Sequence, residues 1–225
     1  MNLIIDVGNT RVKAAVYEKD NCVEQFVFSV GRIIYETKKI LKKHQINSGI
    51  ISSVAKINKK KREKLFQLVR FIELDASTKV PFKNLYETPT TLGVDRIALV
   101  SAAVNQYPNK NVLIIDAGTC VTFDIVNSKK EYLGGAISLG VEMRFKALNT
   151  FTSKLPLLET NYSKHFIGNS TNSSIQSGVV NGICNEIDGV INQYKGQFRD
   201  LTVVLTGGDT YFLAKQLKSS IFANP

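Results

Sequence analysis

Two short motifs in this chain combine a carboxylate, a glycine and hydroxyl side chains at a spacing that could bind phosphate. The first reads Asp6-Val7-Gly8-Asn9-Thr10, and the second reads Asp116-Ala117-Gly118-Thr119. Glycine lets the backbone approach a ligand closely, amides and hydroxyls donate hydrogen bonds to phosphate oxygens, and a carboxylate can hold a cation or its water shell. These residue types therefore predict two turns that bind phosphate or a cation.

The first motif is the more specific of the two, because a lysine follows at a defined distance to give Asp-x-Gly-Asn-Thr-x-x-Lys. In the functional interpretation Gly8, Asn9 and Thr10 approach the phosphates, Asp6 holds Mg²⁺ through water, and Lys13 neutralises phosphate charge. The alternative is an ordinary hairpin turn with a surface lysine. The second motif favours the functional interpretation, since a chance turn would have no reason to be repeated.

The elements around both motifs also repeat. Leu-Ile-Ile precedes each aspartate, at residues 3–5 and again 110 positions later at residues 113–115. An apolar run that ends in Asp-x-Gly and re-enters apolar sequence is typical of a buried strand followed by a hairpin. The pattern predicts strands at 2–6, 11–18 and 23–28, and again at 112–116, 119–126 and 131–137.

Helical and strand patterns alternate after each set of hairpins, which indicates an α/β fold made of two halves with mixed sheets. The turn residues at 108–111 place the boundary between halves 1–109 and 110–225. Longer polar connections are predicted as loops at 81–89 and 151–169. The further helices are predicted at 31–44, 93–106, 140–150 and 171–195, with short strands at 49–53 and 201–205.

A late motif, Thr206-Gly207-Gly208-Asp209, follows the last of these strands and precedes a short predicted helix. Two glycines let the backbone lie flat against an adenine ring or a ribose, and a helix amino terminus favours negative charge. The other interpretation is a helix cap with Asp209 as the capping residue. Both interpretations are retained here.

Composition limits the choice of partners. The net charge is +10, and much of it comes from lysines near residues 38–43 and 56–64. Such stretches fit either an anionic partner, nucleic acid or membrane, or the solvated faces of two amphipathic helices. Because no aromatic residues interleave with the lysines there, the solvated faces are preferred.

Apolar runs stay below the roughly 20 residues of a membrane span, and the start at Met1 shows no signal peptide, so we expect a cytoplasmic protein.

The ordered set of motifs, completed by Gly93-Val94-Asp95-Arg96 and Gly134-Gly135-Ala136-Ile137, resembles the type III pantothenate kinases. The resemblance spans residues 6 to 209. It implies two tandem RNase H-like (actin-like) subdomains, each a mixed sheet flanked by helices. It also implies ATP-dependent phosphorylation of pantothenate to 4'-phosphopantothenate, the first step of coenzyme A biosynthesis, by a homodimer that uses Mg²⁺ and a monovalent cation, K⁺ or NH₄⁺.

The resemblance also assigns roles to residues. Asp95 is the implied proton acceptor of the substrate hydroxyl, and Asp116 the implied ligand of the monovalent cation. The implied ATP contacts are Asp6, Val7, Gly8, Asn9, Thr10, Arg11, Val12, Lys13 and Thr119. The implied pantothenate contacts are Tyr86, Gly93, Val94, Asp95, Arg96 and Thr171.

Two alternatives and one departure accompany this resemblance. The protein could be another small-molecule kinase of the same fold, for instance a sugar kinase, although no sugar-kinase zinc cluster is recognisable. It could instead be a non-catalytic transcription accessory factor that binds nucleotide, although such a protein would have no need of Asp95. The departure is Ser138-Leu139-Gly140, which stands where the family usually has Pro-Gly and is expected to change how the next helix begins.

Overall fold

The structure is a computed structural model that describes residues 1–8, 10–55, 57–162 and 165–223. Two compact units divide the chain. The first comprises Met1–Val80 with Thr88–Ala98, and the second comprises Pro81–Glu87 with Leu99–Pro225. The functional division into halves 1–109 and 110–225 stays a prediction. Among the described residues, no helix is long and apolar enough to cross a membrane.

The first unit contains a five-stranded mixed sheet. Its strands, in chain order, are β1 (Asn2–Val7), β2 (Val12–Glu18), β3 (Asn21–Phe28), β4 (Ser48–Ser53) and β5 (Phe71–Glu73). They lie in the order β3-β2-β1-β4-β5. The first three strands form antiparallel hairpins, whereas β4 pairs in parallel with β1 and β5 in parallel with β4.

The second unit repeats this plan and adds one strand. Its strands are β6 (Lys83–Asn84), β7 (Val112–Ala117), β8 (Cys120–Val126), β9 (Glu131–Leu139), β10 (Thr202–Thr206) and β11 (Phe222–Ala223). Their order is β11-β10-β7-β8-β9-β6, with antiparallel hairpins β7-β8-β9 and with β10 and β11 parallel to β7. The predicted pair of mixed sheets is therefore confirmed, and the repeated Leu-Ile-Ile-Asp segments occupy the equivalent strands β1 and β7.

In the part of the chain that the structure describes, six α-helices accompany the sheets: α1 (Ile33–Lys43), α2 (Lys59–Leu68), α3 (Val94–Gln106), α4 (Val141–Thr150), α5 (Thr171–Gln197) and α6 (Thr210–Ala214). The longest, α5, begins with a capping box in which the side chains of Ser170 and Ser173 accept hydrogen bonds from each other's backbone amides. This satisfies two amides that would otherwise lack helical partners.

Alternation along the strands decides which face of each sheet is buried. In the first unit Leu3, Ile5 and Val7 point into a core that α1 and α2 cover with residues such as Ile40 and Leu65. The lysines of α1 at positions 38, 39 and 42 are exposed, as the amphipathic interpretation predicts. Full burial of one such aliphatic side chain contributes about 1.5–3 kcal/mol. Because side chains alternate along a strand, Asp6 faces away from this core.

The second unit follows the same rule. Leu113, Ile115 and Ala117 enter a core built with α4, α5 and α6. The neighbouring residues of β7, Ile114 and Asp116, therefore lie on the opposite face of the sheet.

Two strands of only two residues each were not predicted. The segment 81–89, expected to be a loop, contains β6, which pairs with β9 through Lys83 and Asn84. The final strand β11 pairs with β10 through Phe222 and Ala223. Each has only two residues, so tertiary pairing rather than a local apolar pattern determines it.

Candidate active site

The first hairpin brings three polar residues into register at the end of β1. Asp6 lies opposite Lys13 on β2 and opposite Ser52 on β4. The Ser52 hydroxyl donates a 2.8 Å hydrogen bond to Oδ1 of Asp6. Gly8 closes the turn by donating its amide to the carbonyl of Arg11 at 3.1 Å. The aspartate is thus held on one oxygen while its strand is fixed on both sides.

Electrostatics connect Asp6 to the helix that carries Asp95. Burial raises the pKa of the Asp6 carboxyl most strongly, and the Ser52 hydrogen bond partly offsets this increase. The Asp95 carboxylate raises the pKa further, and Lys13 lowers it. A like charge acts in this way only at short range. The predicted base in the first unit thus lies near enough to the predicted phosphate-binding aspartate for its charge to act on it.

Asp95 lies in the first turn of α3, where its side chain folds back along the chain. Its Oδ1 atom accepts a 2.8 Å hydrogen bond from the backbone amide of Arg96. A β-carbon at Gly93 would come within 2.4 Å of the same oxygen. Arg96 itself is only 5% exposed. The absence of a side chain at Gly93 is thus what makes room for the Asp95 carboxylate.

The remaining residues of the first motif differ in what their side chains can contact. Val7 and Val12 are fully buried in the core, so a nucleotide could reach only their backbones. Arg11 and Lys13 are exposed, as is Thr10. Asn9 lies outside the described residues.

The second hairpin places threonines on both sides of Asp116 in the sheet. Asp116 lies opposite Thr122 on β8 and opposite Thr206 on β10. Gly207 follows with a φ of +99°, and a β-carbon there would come within 2.4 Å of Asp116 Oδ1 and 2.3 Å of the Ala117 carbonyl oxygen. The backbone at Gly207 therefore passes directly over the Asp116 carboxylate.

Thr119 is held by the start of α4. Its carbonyl oxygen accepts a 3.1 Å hydrogen bond from the amide of Gly140. A β-carbon at Gly140 would overlap the Gly118 and Thr119 carbonyls at 2.1 and 2.4 Å. The Ser138-Leu139-Gly140 stretch thus ends in a glycine that the second hairpin requires, and α4 begins after it without a side-chain cap.

Asp209 occupies the cap position of α6 but makes no side-chain cap hydrogen bond. Asp209 is thus the N-cap residue, as predicted, although its side chain does not make the cap hydrogen bond. Burial, with a smaller contribution from Glu142, raises the pKa of the Asp209 carboxyl. The amide of Asp209 instead donates to the Ala117 carbonyl at 2.9 Å, which ties the late Gly-Gly motif to β7.

Tyr86 follows β6 and packs against the β9 side of the second sheet. Its ring stacks on that of Tyr132 with centroids 6.1 Å apart and an interplanar angle of 24°. Gly134, with a φ of +103°, leaves space for the Tyr86 ring, since a β-carbon there would contact it at 3.4 Å. The Tyr86 ring therefore packs against β9 at Tyr132 and Gly134.

Thr171, the first residue of α5, lines a cavity of about 970 Å³ in the second unit. Leu139, Arg144 and Leu155 contribute to the same cavity. Arg144 donates to the Leu139 carbonyl at 2.9 Å and to the Ser138 hydroxyl at 3.2 Å. The stretch that departs from the usual Pro-Gly pair is thus anchored by an arginine beside this cavity.

No motif of the sequence identifies Ser52, Asp124 or Tyr132, although all three contact predicted site residues or their neighbours. Ser52 reaches Asp6 only through the parallel register of β1 and β4, which a sequence pattern does not specify. Asp124 could have been noticed, because a single charged residue stands inside the apolar strand 120–126.

Among the described residues, no group of three or more histidine, cysteine, aspartate or glutamate side chains could hold a metal ion. Asp6 accepts a hydrogen bond from the Ser52 hydroxyl, and Asp116 lies near the Ala117 carbonyl oxygen beside Gly207. Such surroundings suit a cation that keeps part of its water shell or binds several neutral oxygens.

Solved structures with the same arrangement define the class of fold. A protein named as a conserved Baf family transcriptional activator from Campylobacter jejuni has a TM-score of 0.63 at 23% identity, with 98% of this chain and 90% of that chain covered. The ethanolamine utilization protein EutJ from Carboxydothermus hydrogenoformans has a TM-score of 0.56 at 11% identity, with 98% and 83% covered. At these identities the likenesses show the fold alone, which is the actin-like ATPase fold.

Sequence comparison identifies the family within that class. The profile of the family described as type III pantothenate kinase matches residues 2–193. A protein named type III pantothenate kinase from Christiangramia forsetii is 49% identical over 225 residues, which are 100% of this chain and 93% of that protein. The chain belongs to the type III pantothenate kinase family.

Proposed function

We propose that this protein transfers the γ-phosphoryl group of ATP to the primary hydroxyl of pantothenate, giving 4'-phosphopantothenate and ADP. The observation that carries the proposal, beside family membership, is that the charge of Asp95 acts on Asp6 within the first unit. A kinase needs a carboxylate that orients the attacking hydroxyl close to the group that holds the phosphates. Asp95 and Asp6 supply these two functions within one unit.

In this reaction the pantothenate hydroxyl gives its proton to Asp95 as the new oxygen–phosphorus bond forms. The bond between the γ-phosphorus and the bridging oxygen breaks, and ADP leaves with the electron pair. The first hairpin, from Asp6 to Lys13, binds the phosphates, and Thr119 is a further ATP contact. In this phosphoryl transfer the protein itself forms no covalent bond with the substrates, so positioning and charge neutralisation provide most of the catalysis.

Pantothenate is bound by residues on both sides of Asp95 in the sequence. The guanidinium of Arg96 is a forked donor suited to the pantothenate carboxylate. Its burial to 5% exposure supports a defined orientation. Gly93, Val94, Tyr86 and Thr171 are the further proposed contacts of pantothenate.

Mg²⁺ fits at Asp6. One carboxylate oxygen is occupied by Ser52, and the other accepts no hydrogen bond from the described residues. A single available carboxylate oxygen agrees with the preference of Mg²⁺ for few protein ligands, with water and substrate phosphates completing the shell. When bound, Mg²⁺ neutralises charge on the phosphates; the chain contributes Asp6 to orient its water shell.

A monovalent cation, K⁺ or NH₄⁺, fits at Asp116. The support is the Ala117 carbonyl oxygen, which lies near the Asp116 carboxylate beside Gly207, and the cross-strand positions of Thr122 and Thr206. Neutral oxygens around one carboxylate suit a singly charged ion.

A homodimer is supported by the surface of the second unit. Phe151, Phe166 and Ile167 are 85%, 76% and 81% exposed. On α5, β-carbons at Gly178 and Gly182 would meet no atom within 4 Å. Large exposed apolar side chains beside an open helix face are typical of an interface.

We also place the protein in the cytoplasm, since its three free cysteines suit a reducing compartment.

Two other functions are less well supported. A sugar kinase would share the fold but not the family membership. A transcription accessory factor could use the exposed lysines of α1, but it would not require the Asp6–Asp95 arrangement. Binding of DNA that weakens steeply with salt, in the absence of ATP turnover, would favour the accessory factor.

The proposal is tested by incubating the protein with ATP, Mg²⁺, K⁺ and pantothenate and detecting the product by mass. Wild-type protein should form phosphopantothenate, and Asp95→Asn should lower the rate at least about 100-fold, the contribution of a positioned base. The matched control is Asp20→Asn, which changes an exposed hairpin aspartate. Absence of product from wild type, or an equal rate from the Asp95 variant, would overturn the proposal.

A further inference from the structure

A buried carboxylate in the second sheet has no role in the mechanism above. Asp124 on β8 and Tyr132 on β9 are both 0% exposed. The Tyr132 hydroxyl donates a 2.7 Å hydrogen bond to Oδ1 of Asp124. Thr122 donates to the other oxygen of Asp124 at 3.2 Å. Asp124 therefore lies on the same sheet face as Asp116, the cross-strand neighbour of Thr122.

Stability alone does not account for this pair. Burying a carboxyl group costs free energy that its hydrogen bonds only partly return, and well-packed apolar residues of similar volume are often at least as stable. The benefit of such a pair is directional, since a hydrogen bond fixes the position of the atom that makes it. The atom fixed here is the hydroxyl oxygen of Tyr132, at the end of its ring.

The Tyr132 ring in turn sets the position of Tyr86. Phe82 packs edge-on against Tyr132 at 5.9 Å, and Tyr86 stacks on it at 6.1 Å. The backbone agrees with this arrangement, because the amide of Leu85 donates to the Tyr132 carbonyl at 3.0 Å. The amide of Tyr86 donates to the Asn84 side chain, also at 3.0 Å.

We infer that Asp124 and Tyr132 are positioning residues that hold the ring of Tyr86, a proposed pantothenate contact. The inference rests on the proposed function for the identity of the ligand. Its physical content, that the Tyr132–Asp124 hydrogen bond fixes the Tyr86 ring, is independent of that function.

The first measurement needs no substrate. The protein is labelled with 3-fluorotyrosine, and the ¹⁹F resonance of Tyr86 is assigned by its loss in Tyr86→Phe. In Tyr132→Phe, which keeps the stacked ring and removes only the hydroxyl, the Tyr86 resonance should shift or broaden. In the control Tyr194→Phe, which removes the hydroxyl of a stacked tyrosine near the end of α5, the Tyr86 resonance should stay unchanged. An unchanged Tyr86 resonance in Tyr132→Phe would overturn the inference whatever the ligand is.

The second measurement separates positioning from general damage. In Tyr132→Phe the KM for pantothenate should rise about fivefold, a size typical of one lost buried hydrogen bond. The KM for ATP and kcat should change by less than about twofold, because the phosphate end is untouched. Asp124→Asn should give the same pattern, and circular dichroism should show that both variants fold.

A double-mutant cycle then tests the route through Tyr86. In a Tyr86→Ala background, Tyr132→Phe should no longer change the KM for pantothenate, since the ring it positions is gone. An equal increase in both backgrounds, or a folded Tyr132→Phe with the wild-type KM, would overturn the inference. If wild type forms no phosphopantothenate at all, the proposed function fails, and the fluorine measurement alone decides the positioning role.

Discussion

The carboxylate oxygen Oδ1 of Asp95 lies where it would clash with any side chain at Gly93, because a β-carbon built on Gly93 would be only 2.4 Å from it. The same oxygen accepts the Arg96 amide. The orientation of the proposed base thus depends on the absence of a methyl group two residues earlier.

Gly93→Ala should therefore act on catalysis more than on stability. The added methyl meets the end of a side chain, which can rotate away at little cost, but rotation removes the carboxylate from its place. We expect kcat for pantothenate phosphorylation to fall about 100-fold, with little change in Tm. Gly31→Ala is the control, because its nearest neighbour would be the Ser29 hydroxyl at an ordinary 3.8 Å. A Gly93 variant with wild-type kcat would contradict this account of Asp95.

Gly207→Ala should act on stability and on the cation site together. The positive φ of Gly207 and the overlap with the Ala117 carbonyl cannot be relieved by side-chain rotation. A loss of about 1–3 kcal/mol is expected, measured as a lower Tm, with a higher K⁺ concentration needed for half-maximal activity. For stability Gly208→Ala is the matched neighbour, since its β-carbon would meet no atom within 4 Å. Equal Tm values for the two variants would refute the prediction.

Ser52→Ala should move the acid side of the pH–activity profile. Burial and Asp95 raise the pKa of the Asp6 carboxyl, and the Ser52 hydrogen bond lowers it, so removing the hydroxyl raises the pKa further. If Asp6 acts as a carboxylate, kcat/KM should then begin to fall at a higher pH than in wild type, while activity at alkaline pH stays similar. Ser53→Ala serves as control because the Ser53 hydroxyl donates to Ala55 instead. A superimposable profile would show that Ser52 does not tune Asp6.

Glu24 should contribute stability that disappears in acid. Hydrogen bonds from Lys43 and His44 hold the pKa of the Glu24 carboxyl below its usual 4.5. Since the folded-state pKa is lowered, the contribution is complete above the unfolded-state pKa and is lost as the pH falls through the folded-state value. Glu24→Gln should lower Tm slightly at neutral pH, by about 1 °C as for other exposed ion pairs, and not in acid. Thermal unfolding across pH tests this, with Glu18→Gln as control; a Tm difference that persists in acid would exclude this linkage.

The hairpins were predictable because their information is local. Leu3-Ile4-Ile5 and Leu113-Ile114-Ile115 are apolar runs stopped by Asp-x-Gly, and each forms the expected strand and turn. The strand β11 was not predictable, since Phe222 and Ala223 are in a strand only because Val204 and Leu205 lie beside them.

The site divides in the same way. Gly93 and Asp95 lie two positions apart in one motif, so the motif itself predicts that they act together. Ser52 lies 46 positions from Asp6 and meets it only through strand pairing. Tyr132 meets Tyr86 through a parallel pairing of two residues. These partners depend on long-range contacts, which no local pattern encodes.

The second sheet includes β6, which lies in a segment that precedes all of its other strands in the chain. The chain consequently passes between the two units at residues 80/81, 87/88 and 98/99. A fragment cut at a single point, for example one starting at residue 110, would lack β6 and would leave Tyr132 without the rings of Phe82 and Tyr86. For anyone dissecting this protein, circular permutation or a split into two co-expressed pieces would have to keep residues 81–87 with the second unit.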